Sequence, residues 1–150
     1  MGGVRPRYEP LEHTAEAGII ARGVTLAEAF ANAAEGMYAL MLELDGIEER
    51  EERTVELDDE GLEGLLVAWL LELLFLTETD QLVFRRFAVD ELSEPRLPDG
   101  QGRLRGRAWG ERFDPERHRT NNVMVKAVTH HMLEIGREDG GYRVQVLFDI

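Results

Sequence analysis

At 150 residues, with 43% hydrophobic and 31% charged side chains, the chain has the length and balance of one globular domain built on a single core, spanning residues 1–150. It contains no cysteine, which removes Cys-ligated zinc, iron–sulfur clusters, thiol nucleophiles and disulfide frameworks together. Seventeen basic residues against thirty acidic ones leave a net charge of −13, the wrong sign for direct nucleic-acid binding by phosphate neutralisation and the right one for cations or basic proteins as partners.

The first ten residues, MGGVRPRYEP, lack the apolar stretch and small-residue cleavage site of a secretory signal, so a cytoplasmic protein with no membrane partner is expected. Residues 7–11 and 17–22 read as two short strands joined by the polar segment His13-Thr14-Ala15-Glu16. Thr25 followed by Glu28 is a capping box, and Leu26, Phe30, Ala33, Met37 and Met41 recur at helical spacing to about Leu44. After the acidic stretch 45–53, Thr54, Val55 and Leu57 mark a strand, and Asp58 or Asp59 is expected to open a second helix.

That helix differs in kind, because residues 65–76 (LLVAWLLELLFL) are apolar nearly all the way round, with Glu72 the sole charge. The run falls short of the ~20 residues that a membrane span needs. It predicts either a central helix buried on most sides or one that packs against a partner. Beyond Thr79 the period changes from helical to alternating. Residues 82–92 and 103–113 form two strands, expected to pair as a hairpin across a loop containing Pro95, Pro98 and Gly100. Residues 123–133 alternate as another strand, and the Glu138–Gly141 turn leads into the last one, 142–150. The order ββαβαββββ predicts an α+β fold: a two-layer domain with a mostly antiparallel sheet packed by two helices.

The sequence has no phosphate-binding loop, dinucleotide fingerprint, GxSxG elbow or HExxH motif. Of the four histidines, His130 and His131 are adjacent; on a regular strand they point to opposite faces and share an ion only across a bulge. Two acids stand out by position. Glu16 lies in the short connection between the first strands, and Asp149 precedes the chain end, so that its carboxylate and that of Ile150 are neighbours. Together they would make an all-oxygen site of the kind that hard divalent cations prefer. Lys126 is the one lysine among sixteen arginines, which hints that a compact ammonium is wanted there; its alternative is an edge-protecting strand lysine.

The segments YEPLEHTAEAG, GVTLAEAFANAAEGMYALM, LLVAWLLELLFL, WGERFD, VKAVTHHML and the terminal LFDI resemble, in order and across nearly the whole chain, the archease family. That resemblance implies a non-enzymatic protein cofactor of an RNA-splicing ligase of the RtcB type, acting in tRNA splicing. Such a ligase joins 3′-phosphate or 2′,3′-cyclic phosphate ends to 5′-hydroxyl ends with GTP and a divalent metal, through a GMP-histidine intermediate. The cofactor would promote guanylylation and multiple turnover. The resemblance also implies a bound divalent cation, calcium first with magnesium or manganese as alternatives, held at Glu16, Asp149 and the Ile150 carboxylate. Glu16 stands where the family's usual residue is Asp. His13, Lys126 and Glu111 are implied as supporting or partner-contacting positions, Glu111 by the resemblance alone. Two other readings stay open: a metal-dependent hydrolase with Glu16 or His13 as base, and a general chaperone-like module working through the apolar helix.

Overall fold

A computed structural model describes residues 5–94, apart from 14–15, and residues 101–150; the side chains of residues 11–13 lie outside that description. Strands β1 (Tyr8–His13) and β2 (Glu16–Gly23) open the chain. Helix α1 (Leu26–Met41) follows, with Thr25 as its N-cap and the Thr25 hydroxyl accepting from the Glu28 N–H at 3.1 Å. The Glu28 carboxylate reaches back to the Val24 N–H at 3.4 Å, so the reciprocal half of the box sits one residue earlier than the usual pattern. Leu44 belongs to a separate 3₁₀ turn, Leu44–Gly46, rather than to the helix.

Strand β3 (Glu51–Asp59) takes in both aspartates expected to open the second helix. Asp59 instead accepts from the Glu60 N–H, and α2 (Leu62–Asp80) starts after Gly61 with no side-chain cap. A helix so rich in buried leucine is held by packing, and loses little by lacking a cap. The predicted hairpin is present as β4 (Leu82–Ser93) and β5 (Gly102–Arg112). The predicted turn residues 95–100 lie outside the described residues.

Strand β6 (Ala127–Glu138) begins four residues later and runs five further than alternation suggested. Its ladder with β7 (Gly141–Asp149) explains the difference. Thr129 pairs with Leu147 and Glu134 with Gln145, so residues 130–133 bulge out against the single residue Val146, with Met132 at φ 55°. The β6–β7 turn has Asp139 at φ 46° and Gly140 at φ 81°, the two positive values that a tight two-residue hairpin requires.

Among the described residues, two α-helices and two antiparallel sheets make up this α+β fold, with strand orders β1-β2-β7-β6 and β3-β5-β4. Alternation tells which face of a strand is buried but not which strand is its neighbour, so the division into two sheets had no sequence signal. Helix α1 packs on β1, β2 and β7 of the first sheet and on β4 of the second, while α2 packs on β3 and β5 of the second and on β6 of the first. One hydrophobic core therefore joins Phe30, Met37, Trp69, Leu70, Phe84 and Phe148. The helices are pinned together by polar contacts as well: the Tyr38 hydroxyl donates to the Leu73 carbonyl at 2.9 Å, and the Trp69 indole N–H donates to the Phe30 carbonyl at 3.1 Å. Among the described residues, no helix is long and apolar enough to cross a membrane.

Candidate functional site at the chain terminus

The last strand, β7, lies inside its sheet between β2 and β6, which carries the end of the chain into register with the start of β2. Glu16 is directly opposite Asp149, and Asp149 is opposite Ala127 on its other side. His13 is opposite Glu16 across β1, so one row of the sheet runs His13, Glu16, Asp149, Ala127. Of these, Glu16, Asp149 and Ala127 share one face, with Cβ atoms of directly opposed residues roughly 4.5–5.5 Å apart. The row is closed at β6 by the backbone N–H of Lys126, which donates to the Asp149 carbonyl at 2.8 Å.

Asp149 and Lys126 are exposed, Glu16 is half-buried, and Ile150 is 42% exposed beyond the end of β7. Residues separated by more than a hundred positions are thus brought together at one tip. The donors available there are two side-chain carboxylates and the carboxylate that ends the chain, a set of oxygens suited to a hard divalent cation. Among the described residues, no group of three His, Cys, Asp or Glu side chains is placed to hold a metal ion. The side chain of His13 lies outside the described residues.

Glu111 does not join this row. It is only 3% exposed on β5, where its carboxylate accepts from the Glu48 N–H at 2.7 Å, from Arg117, and from His118 Nε2 at 2.9 Å. The Arg117 guanidinium is the main reason its carboxyl is held down at about 2; the Glu48 N–H and His118 act in the same direction, and burial opposes them. His118 Nδ1 accepts from the Asp114 N–H at 2.9 Å, so the ring proton sits on Nε2, facing the carboxylate. Both nitrogens are engaged, and Glu111 with His118 forms an internal latch between β5, residue 48 and the 114–118 turn. No single segment of sequence announces such a latch, because its members come from three places.

A carboxyl whose folded value lies below its ordinary 4.5 stabilises the fold above that pH, and loses the contribution as pH falls from 4.5 towards about 2. Glu111→Gln should therefore lower stability at neutral pH by about 2–3 kcal/mol and flatten the acid limb over that interval. Urea unfolding as a function of pH measures both.

His130 and His131 lie in the β6 bulge, both exposed. The bulge that joint ligation would need is present, but the histidines gain no third His, Cys, Asp or Glu ligand among the described residues. Three of the four arginines of β5 are paired with acids: Arg103 with Asp58, Arg105 with Glu56, and Arg107 with Asp90 and Glu52.

Missed by sequence reading was an open apolar groove of ≈ 1350 Å³ beside the tip. One wall is the face of α2 that carries Leu71 and Phe75, and the other is the segment 122–126. Leu71, Phe75 and Met124 are 42%, 55% and 72% exposed, while Trp69, one residue round the helix from Leu70, is fully buried. Helix α2 is apolar all round because one side enters the core and another lines this groove. The reading of a helix buried on most sides describes its core face, and the Leu71–Phe75 pair at i, i+4 was the signal available for the open one.

Residues 8–150 match the Archease protein family. A protein archease of Methanosarcina mazei is 40% identical over 144 residues, covering 96% of each chain, and one from Pyrococcus furiosus is 40% identical over 145 residues, covering 96% of this chain and 99% of the relative. The solution structure of Methanobacterium thermoautotrophicum protein 1598 superposes with a TM-score of 0.78 at 36% identity, over 96% of this chain and 99% of that one. A crystal structure from Thermotoga maritima, described as an archease and possible chaperone, shares the fold with a TM-score of 0.54 at 17% identity over the whole of both chains. By sequence along nearly its full length and by fold, this chain belongs to the archease family.

Proposed function

We propose that this protein is a non-enzymatic activator of an RNA-splicing ligase of the RtcB type, presenting a cation-bearing acidic tip to the ligase and promoting its GTP-dependent guanylylation. The observation that carries the reading is the register of β2 and β7, which sets Glu16 opposite Asp149 beside the terminal carboxylate. Like charges directly opposed across a ladder repel, and a cation shared between them converts that repulsion into attraction. Calcium, with magnesium or manganese as alternatives, would be held by Glu16, Asp149 and the Ile150 carboxylate. When bound it would supply positive charge for oxygen ligands such as phosphate.

The chain's own residues supply the rest. The Lys126 backbone holds the end of β7 in place, and its exposed ammonium would meet a phosphate of the partner's nucleotide. A net charge of −13 complements a ligase basic enough to hold RNA and GTP, which favours rapid encounter. The pairing of Arg103, Arg105 and Arg107 with acids supports an activator that does not itself hold RNA.

Calorimetric titration with calcium tests the site. Glu16→Ala should weaken binding at least about tenfold, since it removes a charged oxygen donor, and Glu16→Asp should retain it. Equal calcium affinity for wild type and Glu16→Ala would remove Glu16 from the site.

A further inference from the structure

We infer that the groove between α2 and residues 122–126 is a docking site for an amphipathic, positively charged segment of a partner protein. Along α2 the groove-lining residues Ala68, Leu71, Glu72, Phe75 and Glu78 follow the i, i+3, i+4, i+7 spacing of one helix face. Its apolar centre is Leu71 and Phe75, opposed by Met124, a flexible side chain suited to repacking around a guest. At ≈ 1350 Å³ and open to solvent, the groove exceeds the ~300–1,000 Å³ usual for small-molecule pockets and suits a helix laid in with its apolar face down.

Charge selects the occupant. Glu72 and Glu78 flank the apolar centre on α2, and the molecule as a whole carries −13. A second copy would bring like charge to the same rim, whereas a segment with arginine or lysine beside its apolar anchors would pair with it. The groove is also continuous with the terminal row. Lys126 lines the groove, its N–H bonds the Asp149 carbonyl, and the next residue, Ala127, is opposite Asp149. A segment seated there would fix the orientation of the tip relative to the rest of the partner. The inference does not depend on which partner that is, nor on a cation at the tip.

Fluorescence anisotropy with a labelled Leu/Arg amphipathic helical peptide, and with its Leu/Glu counterpart, tests it. The Leu/Arg peptide should bind and the Leu/Glu peptide should not. The double variant Leu71→Ser/Phe75→Ser should lose at least about tenfold in affinity for the Leu/Arg peptide, as expected when central apolar anchors are removed, with a melting temperature lowered by only a few degrees. Glu72→Gln/Glu78→Gln should weaken binding and reduce its salt dependence while leaving calcium titration unchanged. Equal affinity of wild type and Leu71→Ser/Phe75→Ser would show that the peptide adheres to the acidic surface at large, and would overturn the inference. So would a concentration-dependent dimer in sedimentation that the same double variant abolishes, because the occupant would then be a second copy.

Discussion

Trp69→Ala is expected to destabilise the protein by about 3–5 kcal/mol, the range for truncating a large buried aromatic side chain, and to lower the melting temperature by roughly 6–20 °C. The indole is fully buried and its N–H donates to the Phe30 carbonyl, so the substitution opens a cavity and removes a link between α2 and α1 at once. The surroundings are shaped to the ring: a Cβ added at Gly106 would stand only 2.7 Å from the indole. The neighbouring wall of the groove gives the contrast. Phe75 is 55% exposed, and Phe75→Ala should shift stability by no more than about 0.5–1 kcal/mol. Thermal unfolding of the two variants side by side separates the core face of α2 from the groove face. A normal melting temperature for Trp69→Ala would contradict the packing described above.

The second large effect concerns the end of the chain. Appending a few residues after Ile150 moves the terminal carboxylate away from Asp149, and should reduce divalent affinity and ligase activation together by at least about tenfold. Stability should be nearly unchanged. The β2–β7 ladder holds Asp149 by its backbone pairing and by the Lys126 N–H, neither of which needs the terminal charge. Calcium titration and melting of the extended chain distinguish a functional terminus from a structural one. A C-terminally extended protein with native calcium affinity would take the terminal carboxylate out of the site.

How far each feature was legible in the sequence follows from how local its cause is. The N-terminus of α1 was readable because Thr25 and Glu28 act within one turn. The Asp139–Gly140 turn was readable because its positive φ values demand particular residues. The bulge at 130–133 was not, since it depends on how β6 matches β7. Glu111 shows the same limit more sharply. Its buried carboxylate is satisfied by the Glu48 backbone, Arg117 and His118, which no periodicity connects, and the latch appears only once β5 is placed.

The tip was reached by a different route. Position singled out Glu16 and Asp149, one in a short connection and the other beside the chain end, and resemblance to a family joined them. The physical reason for their meeting is the insertion of the last strand between β2 and β6, an antiparallel pairing of residues more than a hundred positions apart. Contacts of that separation leave no trace in composition or hydrophobic period. The groove is an intermediate case. An all-round apolar helix announced that α2 would be covered on most sides, and the exposed Leu71–Phe75 face is the side that the chain's own fold leaves open.

The central claim, that the Glu16–Asp149 tip serves a ligase, is tested most directly by measuring GTP-dependent guanylylation of the cognate RtcB-type ligase at limiting divalent metal. The comparison is among ligase alone, ligase with this protein, and ligase with Glu16→Ala of matched thermal stability. The account predicts strong stimulation by the wild-type protein and at least about a tenfold loss of that stimulation in the variant. Equal stimulation by Glu16→Ala, or guanylylation that proceeds identically without this protein, would contradict it.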